Sequence, residues 1–595
     1  MVFAHPGRKK HTIFEGKARA PSPAQQHRIE HRDHHVLSGK ESIRLFPLGG
    51  IGNVTKNMYV YEYRYDGKLR DILIVDCGIG FPDAEMYGVD LVLPDVRYLE
   101  DKKQYIRGLV FTHGHDDHIG GIAHLYPKLG KIPMWGTTLT AAFANLKLKD
   151  RGIKTQVTPV DFDTVLTIGP FTISFARVTH SVPDAANLII KTPIGVLYHG
   201  SDFKFDFDPL DGKLSDLDKI TAVGKKGVLC MLTDCLGSER PGFTPSEQKV
   251  GVTLEKEMAL CSGKMLFTTQ SSNIARIQRA IEVAIRAGRK IAIFGRSMDQ
   301  NIEESVKLAY MRFPRDVIVR DRDLKKVPPT KQFLIVAGAQ GQTGSALSRI
   351  ANNDHKYVSI DEGDTVVFSA DPIPGSENNI NALIEQLYRK GARVAYSDIM
   401  EDLHVSGHGS QGDLMLMLSA VSPTYVLPIG GNYKHMMQYR RLAQDLGYDK
   451  KSVLIPEVGE ILEFKEGVAP KVVQTVNLEN VMIDGLGVGD VGEVVLRDRQ
   501  TIATDGIVVV VVPMEQSTGR VVAEPDIISR GFVYIRESGG LLTKAKKVVN
   551  DSLRLKKGVM IDWHFVRKQV EHNLERFLLK ETGRSPLIVP VIVEV

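Results

Sequence analysis

The chain has 595 residues, 43% apolar and 25% charged; that is too long for one hydrophobic core and ordinary for a globular protein, so roughly two to four domains are expected. The net charge of +5 sits in residues 1–40, where eight Lys/Arg face three Asp/Glu, leaving 68 of each sign beyond them; the body therefore carries no bulk cationic signal for nucleic acid. No apolar run approaches the ~18 residues of a membrane span, residues 1–40 lack the apolar stretch of a secretory signal, and four cysteines (Cys77, Cys230, Cys235, Cys261) with no CxxC pair fit a reducing cytoplasm.

In chain order, segment 1–40 holds six of the eighteen histidines and reads as a disordered, solvated tail able to touch phosphates or stray metal. From residue 42, short apolar runs between Gly-, Pro- and Asp-rich turns predict strands at 72–75, 109–111, 171–178 and 195–198. Each is followed at once by a polar cluster containing His or Asp, which puts those residues on loops held by a buried sheet. Residues 241–404 alternate strand and helix: helix 274–287, strand 290–294, helix 301–311, strand 332–336, helix 344–351. This is the rhythm of an α/β unit with a parallel sheet. Residues 405–465 return to short strands and a helix, and 466–478 read as a linker. A small α+β domain then covers 479–595, with strands at 492–496, 507–512 and 531–535, an amphipathic helix at 563–579 and a last strand at 587–594.

The densest chemistry is His113-x-His115-x-Asp117-His118, directly after the run 108–111. Imidazoles two residues apart in an extended turn point the same way, so His113 and His115 can chelate one ion while Asp117 and His118 face a second. Nitrogen and carboxylate donors suit Zn²⁺, with Mn²⁺ as the alternative. A histidine-rich surface turn is the bland reading, but four donors in six residues after a buried strand rarely arise that way. Asp76, His180 and Asp202 each end a predicted strand. Singly, each would more often be a cap or a hydrogen-bonded core residue; together with the motif they make a binuclear metal site.

The arrangement resembles the metallo-β-lactamase superfamily, and the inserted α/β region resembles its β-CASP branch. The resemblance narrows to bacterial ribonuclease J across 42–595, carried by Lys56-Asn57-Met58, Asp202-Phe-Lys-Phe-Asp206, Gly295-Arg-Ser-Met298, Pro372-Ile-Pro-Gly375, His404-Val-Ser-Gly-His408 and Pro525-Asp-Ile-Ile-Ser-Arg-Gly-Phe532. It implies an α/β architecture: an αββα sandwich from 41–240 and 405–465, interrupted by a β-CASP domain at 241–404, with the C-terminal α+β domain behind it. It further implies that His113, His115 and His180 hold one ion, Asp117 and His118 the other, and that Asp202 bridges them, up to two Zn²⁺ per chain. Asp76 and Asp234 would support these ligands, and His408 would be the general acid, although a histidine in a Gly-x-Gly turn can also be structural. Arg296, Ser297, Gly338, Gln340, Gly341, His404, Ser406, Gly407 and His408 would line the RNA path, with His404 open between phosphate contact and core residue. The implied substrate is single-stranded RNA, preferably 5′-monophosphorylated, cut from its 5′ end or internally. The implied assembly is a homodimer or homotetramer in the cytoplasm.

The chain departs from that pattern at one telling place. Gly430 stands where the family has a histidine on the second metal, and Asn432 replaces a glutamate. Asn53 replaces an acidic residue, and Ala339, Gln342 and Thr343 replace Ser, Glu and Pro. The second ion would keep only Asp117, His118 and Asp202, with water or His435 filling the gap and weaker binding. Two other classes share the metal set. One is a weakly active or regulatory paralogue, an RNA-binding scaffold in a hetero-oligomer; the other is a small-molecule lactam or thioester hydrolase, which leaves the inserted and C-terminal regions without a role. Retained ribonuclease activity is favoured because every other site residue is intact.

Overall fold

Two sheets face each other in the computed structural model, which describes residues 40–594 apart from 84, 374, 401, 486, 490–491, 516–520, 533–538 and 554–562; the tail expected over 1–40 lies outside them but for Lys40. Eight strands form one sheet in the order Val468–Thr475, Glu460–Lys465, Glu41–Gly49, Met58–Tyr65, Lys68–Val75, Ile106–Val110, Met134–Thr137, Thr158–Val160. Six form the other: Tyr425–Ile429, Cys230–Asp234, Gly195–His199, Ala186–Thr192, Phe171–Arg177, Val165–Ile168. The central strands, such as Gly195–His199, Cys230–Asp234 and the latter half of Lys68–Val75, are apolar because both faces are covered. Leu73 and Val75 share a buried cluster with Phe171, Ile173, Leu197 and Leu232 of the facing sheet. Ile72 and Ile74 turn the other way, to Ile122 and Leu125 of helix Ile122–Leu129 and Leu139 of helix Thr138–Asp150. Each such side chain contributes about 1.5–3 kcal/mol by leaving water.

Between the last two strands of the six-stranded sheet in chain order sits a parallel five-stranded sheet: Lys290–Phe294, Gln332–Val336, Met265–Thr268, Thr365–Phe368, Arg393–Ala395. One of its faces, with Phe267, Phe333 and Ile335, joins the same apolar cluster as Phe143 and Leu148 of the sandwich. The helix expected at 301–311 lies at Arg296–Lys307, because Gly295, at φ 128°, ends the strand and starts the helix without an intervening loop. The one expected at 344–351 is shorter, Ala346–Ala351.

Three expectations in the C-terminal half are corrected. The strand predicted at 492–496 is the first turn of helix Glu493–Asp505, whose Val494 and Val495 are exposed and whose Leu496 is buried; a three-residue apolar run does not separate the two conformations. The strand predicted at 531–535 lies earlier, at Asp526–Arg530, antiparallel to Ile507–Met514; residues 533–535 are outside the described ones. The linker predicted at 466–478 carries strand Val468–Thr475, the edge of the eight-stranded sheet. Most of its residues are exposed, so no alternation marks it, and Pro470 is tolerated because the strand is an edge. Val481–Asp484 pairs antiparallel with Leu91–Leu93 and ties the C-terminal region to the sandwich. No described helix is long and apolar enough to cross a membrane.

Candidate metal centre

Strand Ile106–Val110 runs parallel to Lys68–Val75, so the histidine motif and Asp76 emerge at the same end of the sheet. Asp76 takes a left-handed backbone, φ 60°, which aspartate tolerates better than most residues. Its carboxylate accepts from Thr112 N, Thr112 Oγ1 and His118 Nδ1, each at 2.8 Å. That bond leaves Nε2 as the His118 nitrogen that faces the cluster. His180, three residues beyond strand Phe171–Arg177, donates from Nδ1 to Gly407 O at 2.7 Å and sets Nε2 3.0 Å from His115 Nδ1. His115 Nε2 lies 3.0 Å from Ser181 Oγ. Asp202 Oδ2 stands at the centre, 3.6 Å from His113 Nε2, 3.4 Å from His118 Nε2 and 4.0 Å from His180 Nε2.

These residues fit a pair of divalent metal ions. Neighbouring donors around a tetrahedral ion with bonds of about 2.0–2.1 Å stand roughly 3.3 Å apart, and the spacings above bracket that value. His113 Nε2 is buried with no hydrogen-bond partner, a cost to folding that a bound cation removes. Burial holds His113 and His180 well below the usual imidazole range and His115 down to about 4, so all three are neutral donors. Burial opposes the charge of Asp202, yet His118 and His408 outweigh it and keep the carboxylate well below its usual range. Three donor groups share Asp202: His113, His115, His180 and Asp202 in the first, Asp117, His118 and Asp202 in the second, and Asp202, Asp234 and His408 in the third. The first has four members, the second three.

Strand Tyr425–Ile429 delivers Gly430 to the second group. A β-carbon there would meet only Asp202 Oδ1, at 3.7 Å, and Asp234 Oδ1, at 3.9 Å. The position faces the site and offers no donor. His435, expected as a substitute, is turned elsewhere: Nδ1 accepts from Asn432 N at 3.2 Å at the start of helix Tyr433–Asp445, and Nε2 is 3.3 Å from Glu239.

His408 donates from Nδ1 to Asp234 at 2.8 Å and holds Nε2 3.8 Å from Asp202. Burial pulls its imidazolium down, but Asp234 and then Asp202 outweigh that and raise it to about 9. A cleft of about 1380 Å³ leads away from the cluster between the sandwich and the inserted sheet, and Arg296, Ser297, Gly338, Gln340, His404, Ser406, Gly407 and His408 line it. Gly341 does not: a β-carbon on it would lie 2.6 Å from the backbone of Asn379, so it is a packing glycine. Gln340 braces a loop, accepting from Ile373 N and Ser376 Oγ and donating to Asp371 O. His404 has both nitrogens engaged, Nδ1 at 2.6 Å from Arg276 and Nε2 at 3.3 Å from Asp371. Arg296 reaches across to pair with Asp150 at 3.1 Å.

The groups that sequence reasoning missed orient ligands without coordinating: Asn57, whose Nδ2 lies 3.1 Å from His118 Nε2, Ser181, and the carbonyl of Gly407. An amide, a hydroxyl and a peptide oxygen carry no recognisable spacing. Asn57 belongs to the Lys56-Asn57-Met58 stretch that carries the resemblance.

Family models match the chain in four places: a beta-lactamase superfamily domain at residues 71–221, a ribonuclease J beta-CASP domain at 262–387, a Zn-dependent metallo-hydrolase RNA specificity domain at 395–456 and a ribonuclease J C-terminal domain at 494–595. Similar proteins include ribonuclease J2 of Bacillus subtilis, 37% identical over 93% of this chain and 99% of that protein. Ribonuclease J 1 of Streptococcus pyogenes is 37% identical over 92% and 97%, and ribonuclease J of Thermus thermophilus 35% over 93% and 96%. With a metallo-β-lactamase sandwich, an inserted β-CASP sheet and the matching C-terminal region in one chain, this protein belongs to the ribonuclease J family.

Proposed function

We propose that the chain hydrolyses RNA phosphodiester bonds at the head of this cleft, as a metal-dependent ribonuclease with zinc as its native metal and manganese as the alternative. The observation that carries this reading is the orphaned His113 Nε2 inside a four-donor group, beside a His408–Asp234 pair that opens onto a cleft of about 1380 Å³. When bound, the ions supply Lewis acidity toward the scissile phosphate and lower the pKa of the attacking water. His113, His115, His180 and Asp202 would hold the first, Asp117, His118 and Asp202 the second. Asp76, Ser181 and Gly407 O fix which nitrogen each ligand presents. Asp234 occupies Nδ1 of His408, so the remaining proton, on Nε2, faces the cleft and can pass to the leaving 3′-oxygen.

The finer reading is a 5′→3′ exonuclease with endonucleolytic capacity, acting on single-stranded RNA with a 5′-monophosphate, in the cytoplasm and as a homodimer or homotetramer. Its domains would divide at 41–240 with 405–465, 241–404 and 479–595. Gly430 favours a second reading in one respect: with three donors the second ion is held weakly, as in a weakly active or regulatory paralogue working beside a fully equipped partner. Incubation with 5′-monophosphorylated and 5′-triphosphorylated RNA, with zinc or manganese and beside Asp117→Ala, separates these. Mononucleotides from the 5′ end support the exonuclease and internal fragments the endonuclease; no product from the wild-type chain refutes an enzyme acting alone.

A further inference from the structure

We propose that Arg276 is a positioning residue for catalysis, buried where the chain enters the inserted sheet and where it returns, and that it aims His180 and His408 from there. The inference rests on the metal-dependent ribonuclease reading above. Two segments join the inserted sheet to the sandwich, 235–247 before helix Gln248–Leu260 and 396–410 before helix Gln411–Val421. Arg276, in the first turn of helix Ile274–Arg286, touches both and is 1% exposed. A guanidinium has five N–H donors in a fixed plane, and here all five are used. Nε and Nη2 form a fork on Glu247, at 3.1 and 2.8 Å, at the end of the incoming segment. The second Nη2 hydrogen goes to Val405 O, and the two on Nη1 go to Ser369 O and His404 Nδ1, at 2.9 and 2.6 Å. His404 and Val405 belong to the returning segment, so one side chain clamps both crossings.

Both routes out of that clamp end at His180. On the returning side Val405 stands two residues before Gly407, whose carbonyl accepts from His180 Nδ1 at 2.7 Å, and three before His408. Gly407 has no slack, since a β-carbon there would lie 2.7 Å from His180 Cε1. On the incoming side Glu247 also accepts from Lys204 Nζ at 3.3 Å, and Lys204 O accepts at 2.6 Å from Oγ1 of Thr179, the residue before His180. The two segments meet again at Thr244, whose Oγ1 donates to His408 O at 2.8 Å. With every hydrogen committed, Arg276 has none to offer RNA and acts through the groups it holds. Lysine would keep a charge beside Glu247, but its three hydrogens leave one point and cannot span Glu247, Val405, Ser369 and His404 together. A misplacement of about 1 Å costs about 10²-fold in rate. Release of Val405 therefore falls on the chemical step rather than on RNA binding, which the rest of the cleft provides.

The test compares three full-length proteins: wild type, Arg276→Met combined with Glu247→Leu, and Arg276→Lys. It reads thermal midpoint, kcat and KM on 5′-monophosphorylated RNA, and the Co²⁺ affinity of the metal-stripped chains by visible absorption. The double variant leaves no stranded carboxylate at 247, so it separates positioning from stability. Below its thermal midpoint it is expected to lose about 10²-fold in kcat with KM within about threefold, and about tenfold in affinity at the tighter cobalt site. Arg276→Lys is expected to lose about tenfold in kcat and about threefold in that affinity, and it carries the test if the double variant does not fold. A folded variant with wild-type kcat or wild-type cobalt affinity overturns the proposal, as does a loss confined to KM. A wild-type chain that cuts no RNA or takes up no cobalt overturns the underlying ribonuclease reading instead.

Discussion

Asp76→Asn separates orientation of a ligand from stability of the fold. Asparagine tolerates the left-handed backbone at position 76 as aspartate does, and its carbonyl oxygen can still accept from Thr112 N. Its amide would face His118 Nδ1–H across the present 2.8 Å contact, donor against donor. The ring relieves this by moving its proton to Nε2, the nitrogen that must ligate. The second donor group then falls from three members to two. Loss of such an outer partner typically costs 10–100-fold in metal affinity, about 1.4–2.7 kcal/mol, and an analogous forced tautomer in a Ser-His-Asp triad costs about 10⁴ in kcat. We expect Asp76→Asn to lose about 10–100-fold in second-ion affinity and about 10²–10⁴ in kcat on 5′-monophosphorylated RNA, with a thermal midpoint close to wild type. Isothermal titration with zinc and a single-turnover RNA assay read both. Wild-type kcat together with two wild-type metal affinities would refute the tautomer argument.

His408→Gln should lower kcat by about 10²–10⁴ with little change in RNA affinity. Asp234→Asn should move the alkaline limb of the pH–rate profile to lower pH, because His408 donates only while protonated and Asp234 is the chief group that raises it; a limb that stays put removes His408 from that role. His199, bonded to Tyr61 at 2.7 Å, is held down to about 3 by burial and then by His118. Its folded pKa is depressed, so the unfolded chain takes the proton first below pH ~6.5, and stability falls by about 1.4 kcal/mol per unit toward pH 3. His199→Gln should flatten the fall in unfolding midpoint between pH 6 and 4; an unaltered slope would show that other groups carry it. Arg276 is fully buried against Glu247, at 2.8 Å, and Arg276→Met should cost up to about 3–5 kcal/mol, since it leaves that carboxylate with Lys204 alone, 3.3 Å away. The double variant with Glu247→Leu should recover part of the loss in chemical denaturation; no recovery would argue against the pair.

The site was legible in the sequence wherever ligands crowd into a short window or end a buried strand. His113, His115, Asp117 and His118 fall within six residues, and Asp76, His180 and Asp202 each close an apolar run. It was illegible wherever the chain folds back over long distances: His180 is oriented by a carbonyl 227 residues on, and His408 by a carboxylate 174 residues before it. The fold follows the same division. Strands covered on both faces, such as Lys290–Phe294 and Gln332–Val336, declare themselves. The edge strand Val468–Thr475 does not, having little buried side to show. Apolarity alone also misplaces Glu493–Asp505, where the signal belongs to one buried helix face. Gly341 reads as a channel wall from its motif, but its close backbone contact with Asn379 makes it a prop behind the cleft, whereas Gln340 lines the cleft as expected and also braces a loop.

The contact between His180 and Gly407 also orders events in time. A ribosome delivers the whole histidine motif, His180 and Asp202 before it begins the inserted sheet, yet the carbonyl that aims His180 and the imidazole proposed to supply the proton come only afterwards. Strands Tyr425–Ile429 and Val468–Thr475, which complete the two sheets, come later still. A growing chain of 400 residues thus holds nearly all of its metal donors and neither the aim nor the acid to use them.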